Sequence, residues 1–322
     1  MKAVIVDWLR SPFHRAHKGK LANVRPDEMA GQVIRKLMER NNISGSMIDD
    51  LILGCAYPEG EQGYNLGRLL TFLGELPETV PGATINRLCG SSMQAILSAA
   101  AHIEVGWGDC ILVGGVESMS RIQRRGFNWS PSPELQEKFS DAYISMGVTA
   151  ENVAKKYDIS RKDQQAFAIS SHQKAYEAQT SGKFKNEIVT IGSCETDGNI
   201  RPKSNQETLD GLKLAFDQNG TVTAATSSPL TDGAAATLIC EENYAKENNL
   251  EILGRIVSTA VEGCEANYMG LGPIGASKKA LQRANLTIDK IDIVELNEAF
   301  ASQSLACIKD LKIDQKKVNL DG

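Results

Sequence analysis

Residues 36–53, KLMERNNISGSMIDDLIL, and residues 279–296, KALQRANLTIDKIDIVEL, read as two copies of one unit at a constant offset of 243 positions. Arg40 pairs with Arg283, Asn42 with Asn285, Ile43 with Leu286, Ile48 with Ile291 and Asp49 with Asp292. Each copy reads as the end of a helix, a short polar turn and a strand that opens on an aspartate. A helix–strand unit used twice predicts an α/β architecture in two halves.

Working outward from the first copy, strand and helix signals alternate over the first 120 residues. AVIVDWL reads as a strand, Pro26–Asn41 as a helix, LILGC as a strand and Tyr64–Leu73 as a helix. ATINRL, a helix from near Cys89 and CILVGGV follow. Between Arg121 and Ser228 the texture becomes polar and Pro-containing, with helices at GVTAENVAKKY and SRKDQQAFAISSHQKAYEAQTSG, the latter ending at Gly182. After DGAAATLIC the alternation resumes with GRIVSTAV, ASKKALQRANL, KIDIVELN and NEAFASQSLACIKDL. The expected domains are residues 1–120 with 229–253 as an N-terminal half, 121–228 as an inserted loop domain, and 254–322 as a C-terminal half. At the repeat offset Gly322 stands opposite position 79, before the first half reaches ATINRL, the helix from near Cys89 and CILVGGV. A half-sheet ending there exposes unpaired edges, so a C-terminally shortened second half is expected.

The chain has 322 residues, 42% of them apolar, enough for about two domains with buried cores. With 35 Lys and Arg against 40 Asp and Glu, the net charge is −5, which argues against a nucleic-acid-binding surface. No apolar run reaches the roughly 18 residues that span a bilayer, and MKAVIVDWLRSPF lacks a signal-peptide pattern, so a cytoplasmic location is expected. The seven cysteines form no CxxC pair, and neither disulfides nor a metal site is expected.

The sharpest local feature is ATINRLCGSSMQAILSAAAHIEVG, where a strand-like run turns into a helix with Cys89 at the joint. Met93, Ile96, Leu97, Ala100 and Ile103 follow at helical spacing. A thiol there faces the N–H groups of a helix start, including those of Gly90 and Ser91, which favour a thiolate. Gly90, Ser91 and Ser92 keep the approach open to a carbonyl, the logic of a nucleophile elbow. A buried cysteine at a tight turn fits the same spacing.

Seven ordered segments then resemble the thiolase family, in particular the degradative 3-ketoacyl-CoA thiolases. They are NRLCGSSMQA, VGGVESMS, MGVTAENVA, SRKDQQAFA, GTVTAATSSPLTDGAAA, MGLGPIGASKKAL and ELNEAFASQ. The resemblance implies an α/β thiolase-like fold: two repeated halves with mixed five-stranded sheets in αβαβα layering, plus an inserted loop domain. It implies that Cys89 is the nucleophile that carries the acyl group as a thioester, releasing acetyl-CoA before free CoA takes the shortened acyl chain. Asn297, in NEAF, is implied to hold a water at the oxyanion, although a helix-capping Asn fits the same residues. Ser228 and Met146 are implied to line the pantetheine and acyl site, with Pro229 departing from the usual small-Gly pattern. Arg201 and Lys203 fall in the loop that meets the CoA nucleotide in the family.

Coenzyme A is thus implied as co-substrate with no permanently bound cofactor, and a homodimer or tetramer with a hydratase/dehydrogenase subunit as partners. RLCGSSMQA and CIKDL resemble the subgroup acting on medium and long chains. An acetoacetyl-CoA thiolase or a non-catalytic acyl-CoA-binding relative are the alternatives. The family's GHP histidine and CxG cysteine have no counterpart in residues 1–322, and His14, His17, His102, His172 and Cys307 match neither role. The 322-residue chain is therefore expected to show little CoA-dependent cleavage of acetoacetyl-CoA.

Overall fold

The computed structural model describes residues 1–322. Its strands are β1 (Ala3–Arg10), β2 (His14–Arg15), β3 (Asp50–Gly54), β4 (Gly82–Ile85), β5 (Cys110–Ser118), β6 (Thr231–Glu241) and β7 (Gly254–Arg255). Its helices are α1 (Pro26–Asn41), α2 (Leu66–Leu73), α3 (Ser91–Val105), α4 (Pro133–Lys138), α5 (Met146–Tyr157), α6 (Arg161–Thr180), α7 (Gln206–Asp210), α8 (Glu242–Glu247), α9 (Gly272–Ala284) and α10 (Ala301–Leu311). The chain divides into two compact units, Met1–Trp129 with Phe184–Asn199 and Leu230–Val257, and Ser130–Lys183 with Ile200–Pro229 and Ser258–Gly322.

The first unit holds one mixed sheet in the order β4-β3-β5-β6-β1-β7, with β2 paired to β6. β3 runs parallel to β4 and β5, whereas β6 is antiparallel to β5 and β1. Five longer strands thus make the sheet, and the two-residue β2 and β7 extend it. Alternation along the strands separates two cores. Leu51, Leu53, Leu112 and Leu238 pack on the side of α1 and α2, while Ile52, Ile111, Val113 and Ile239 pack against α3.

Local chemistry explains the elements. α1 opens with Pro26 at its first turn, followed by Asp27 and Glu28, and ends with Arg40 before Asn42 in the left-handed region. Ile43 N–H returns to the Met38 carbonyl, closing a Schellman-type cap. The helix expected from Tyr64 begins at Leu66, because Tyr64 and Asn65 both have positive φ and continue the preceding turn. On α3 the buried stripe is Ser91, Ala95, Ala99, Ala100 and Ile103, and Met93 is exposed. The small side chains, rather than the large apolar ones, face the sheet and let the helix lie close to it.

The domain limits differ from those expected on the insertion. Residues 184–199 belong to the first unit because Arg10 exchanges backbone hydrogen bonds with Glu187 and Val189 and its side chain pairs with Glu187 and Asp197. The strand expected at GRIVSTAV is reduced to Gly254–Arg255, which joins the edge of β1.

The second unit is helical. α10 is its buried centre, packed by α5, α6 and α9, and Ser302 donates to the Ala150 carbonyl at 3.0 Å. KIDIVELN forms no strand in this unit and is joined to VNLDG by the single bridge Val294–Val318. A ladder needs partners along its length, and residues 291–296 have one at one position. The strand expected at KIDIVELN in the second half is thus irregular chain rather than sheet.

Candidate active site

The turn that carries Cys89 joins β4 to α3 inside the first unit. Leu88 has φ +47°, a left-handed conformation that a leucine reaches at a cost of about 1–3 kcal/mol. It is held from both sides. Asn86 Oδ1 accepts from Leu88 N–H at 2.7 Å, and the Leu88 carbonyl accepts from Ser91 Oγ at 2.6 Å. Ser91 Oγ in turn accepts from Arg87 N–H at 2.9 Å. The turn presents Cys89 to solvent, which rules out the buried-cysteine reading.

The donors at the helix start are not those expected. Gly90 N–H bonds the Arg87 carbonyl and Ser91 N–H bonds the Leu88 carbonyl, so both are spent in closing the turn. The first regular helical bond runs from Gln94 to Gly90, and the Ser92 and Met93 N–H groups meet no backbone acceptor.

Two glycines seat this helix start on the sheet. A Cβ on Gly54, at the end of β3, would overlap the Ser92 backbone nitrogen. One on Gly115, in β5, would overlap Ser92 Oγ. The start of α3 lies so close to β3 and β5 that neither position has room for a side chain, which is why VGGVES carries a glycine at 115.

Beneath the turn lies a buried polar cluster. Glu117 Oε2 accepts from Ala56 N–H at 2.7 Å and Oε1 from Gln62 Nε2 at 2.6 Å. Burial pushes the Glu117 carboxyl up from the usual range, and it pushes the Cys55 thiol up to about 12, with Glu117 adding to that rise. Tyr57 stands within electrostatic reach of Cys89, its phenol pushed up chiefly by burial. Sequence reading missed this cluster. Its one signal was a Glu at the end of the apolar run CILVGGV.

The other three candidates gather in the second unit around Phe300. Ser228 N–H donates to the Ala299 carbonyl at 3.0 Å, and Ser227 bridges Phe300. Met146 opens α5, and the next residue, Gly147, has room for no Cβ because Phe216 lies against it. Phe216 stacks edge-on against Phe300 with centroids 5.9 Å apart. Asn297 is exposed and makes no hydrogen bond, so its amide is open to a ligand. The helix cap is Phe300, three residues on, and Asn297 is no capping residue. Asn319, also missed, grips Leu296, the residue before Asn297: its Oδ1 accepts from Leu296 N–H at 2.8 Å and its Nδ2 donates to the Leu296 carbonyl at 2.9 Å.

Arg201 and Lys203 are exposed, and Arg201 N–H meets His172 Nδ1 at 3.4 Å. His14 is buried against Cys194, with Nε2 2.9 Å from its Sγ, and His102 rests on Trp107. Cys307 is buried in α10 and its thiol is pushed up to about 11 by burial.

The family model for the thiolase N-terminal domain matches residues 3–243 and that for the C-terminal domain residues 250–322. The chain belongs to the thiolase family. It is an acyltransferase of that family, and its fold is the thiolase fold. It is 44% identical to a 3-ketoacyl-CoA thiolase of Shewanella denitrificans (strain OS217), over 100% of this chain and 86% of the relative. Identity is 43% to a 3-ketoacyl-CoA thiolase of Bacillus subtilis, with the same coverage. A crystal structure of the Bacillus anthracis acetyl-CoA acetyltransferase superposes with a TM-score of 0.90 at 36% identity, over 99% of this chain and 86% of that one. No helix is long and apolar enough to cross a membrane.

Proposed function

We propose that the chain acts on 3-ketoacyl-CoA by thiolysis, with Cys89 as the acyl carrier. The Cys89 sulfur bonds the 3-keto carbon, the bond between C2 and C3 breaks, and its electron pair leaves on C2 as the enolate of acetyl-CoA. The proton given up by the thiol is balanced by the one gained at C2. Free CoA then attacks the acyl thioester, takes the acyl group and returns a proton to Cys89.

The observation that carries this reading is the strained Leu88, which holds an exposed thiol at the start of α3 beside open Ser92 and Met93 N–H groups. Such donors stabilise negative charge on sulfur or on an attacked carbonyl oxygen. Asn297, unpaired and exposed, supplies an amide for a water on the thioester oxygen of the leaving acetyl group. Ser228 and Met146 border the same loop and are assigned to the pantetheine arm. CoA serves as co-substrate, and the reading assigns the reaction to fatty-acid β-oxidation in the cytoplasm, with a homodimer or tetramer and a hydratase/dehydrogenase subunit as partners.

Single-turnover mixing with a 3-ketoacyl-CoA tests it. An acyl group on Cys89 with release of acetyl-CoA is expected, abolished by Cys89→Ala. Release at an unchanged rate from Cys89→Ala would overturn the assignment. The likeness to an acetyl-CoA acetyltransferase favours a second reading, in which the substrate is acetoacetyl-CoA. Comparing acetoacetyl-CoA with 3-ketohexadecanoyl-CoA separates the two.

A further inference from the structure

The cluster under the nucleophile turn is connected to it by an unbroken set of hydrogen bonds. Glu117 takes the Ala56 N–H, and the carbonyl of the same residue takes the Asn86 amide at 2.9 Å. Asn86 Oδ1 then holds Leu88 N–H, next to Cys89. Gln62 fixes the far end: its Oε1 accepts from Ser118 N–H at 2.7 Å, and its Nε2 gives to Glu117 and to the Tyr57 carbonyl.

Residue 117 is thus required to accept on both arms, because the Ala56 N–H, the Gln62 amide and, at 4.0 Å, the Cys55 thiol all arrive as donors. A carboxylate does so; a glutamine in the same pose turns an NH2 toward Gln62 Nε2. No cation pairs with Glu117. A part-buried carboxyl with no cationic partner is a poor way to hold a fold together, since an apolar side chain of similar size serves stability as well or better. The carboxyl is explained by what its two bonds align.

We propose that Glu117 is a positioning residue for the acyl-transfer reaction, setting the Leu88–Cys89 turn through the Ala56 peptide and Asn86. The proposal rests on the reading of Cys89 as acyl carrier. It separates two properties of that thiol. Attack by a small diffusing alkylating agent needs exposure only, whereas transfer from a bound thioester needs sulfur and carbonyl in register, where an ångström of misplacement costs about a hundredfold.

The test uses the 322-residue chain with Glu117→Gln, Glu117→Ala, Asn86→Ala and the Glu117→Ala/Asn86→Ala double substitution. Acetylation of Cys89 by acetyl-CoA is followed by peptide mass over a range of thioester concentrations, beside iodoacetamide alkylation of Cys89 and thermal unfolding. Glu117→Ala is expected to lower the maximal acetylation rate about a hundredfold with the half-saturating concentration unchanged, and alkylation is expected to stay within about threefold. Glu117→Gln, which keeps an acceptor for Ala56, retains more of the rate than Glu117→Ala. Asn86→Ala gives the same signature, and the double substitution is no worse than the poorer single one, as links of one relay require. Parental acetylation in folded Glu117→Ala and Asn86→Ala, multiplying losses in the double variant, or acetylation and alkylation falling together with stability would each overturn the proposal. If Glu117→Ala does not fold, Glu117→Gln and Asn86→Ala decide it by the same criteria. An unsubstituted chain that is alkylated but never acetylated at Cys89 would instead overturn the acyl-carrier reading, and the proposal with it.

Discussion

The two copies of the repeated unit keep the same local conformation and meet different fates. Asn42 closes α1 at φ 50°, ψ 39°, and Asn285 closes α9 at φ 53°, ψ 39°. A 3-10 turn follows each, over Gly45–Met47 and Ile288–Lys290, and the exit residues Ile48 and Ile291 have nearly equal backbone angles. Beyond that point the first copy enters β3, paired on both sides and buried, and the second runs as extended chain with one bridge and Ile293 55% exposed. The cap and turn are written in the residues themselves, whereas the strand exists only where neighbouring strands satisfy it. The copies diverge again at their ends. Leu53 leads to Gly54, which seats the Cys89 helix, and the equivalent Leu296 leads to Asn297, which is open to solvent.

This contrast can be broken most forcefully at the strands. Leu51→Ala empties a fully buried site on β3 and is expected to lower the unfolding free energy by about 3 kcal/mol. Val294→Ala, at the matching position in the half-buried second copy, is expected to cost about 1 kcal/mol in the same urea titration. Equal losses would mean that the second copy is as fully packed as the first.

A slightly smaller effect is expected at the ends of the copies. Gly54→Ala forces the start of α3 away from β3 and should cost about 2 kcal/mol, whereas Asn297→Ala should stay within about 0.5 kcal/mol. Asn297→Ala is expected to lower by about a further hundredfold the slow single-turnover release of acetyl-CoA from acetoacetyl-CoA that residues 1–322 support.

Next is a dependence on alkali. Cys55 follows β3 and keeps its proton to about pH 12, whereas an unfolded thiol loses its own near 9. An acid whose folded pKa is raised supplies stability that is complete below the unfolded value and is lost as the pH rises from 9 toward 12. Cys55→Ala should therefore reduce the fall in unfolding free energy between pH 8.5 and 10.5, read by urea titration, by an amount on the order of 1–2 kcal/mol. An unchanged fall would show that this thiol is not the group responsible. The smallest effect sharpens the likeness of the copies: Asn42→Ala and Asn285→Ala should each cost about 1 kcal/mol, and the two values should agree, because the cap geometry is the same.

The same division explains what could be read from the sequence. Pro26–Asn41, the strand around LILGC and the helix after NEAF were visible because spacing, caps and turn residues are local signals. The Cys89 joint was visible too, and its exposure agrees with a nucleophile. The identity of the open donors was not, because whether Gly90 or Ser92 is free depends on how the turn closes on Arg87 and Leu88. Residues 184–199 read as part of a polar insertion, yet Arg10 ties them to β1 across long sequence separation. Glu117, Gln62 and Asn319 escaped for a similar reason: each acts on backbone groups distant in sequence.

The central claim is that the Leu88–Cys89 turn makes one thiol of the chain an acyl carrier. Cys264 is exposed as well and serves as the internal control. After incubation with acetyl-CoA, peptide mass mapping should find the acetyl group on Cys89, with Cys264 unmodified and the label released by added CoA. Equal labelling of the two thiols, or a Cys89 that stays free while the thioester is consumed, would contradict the account.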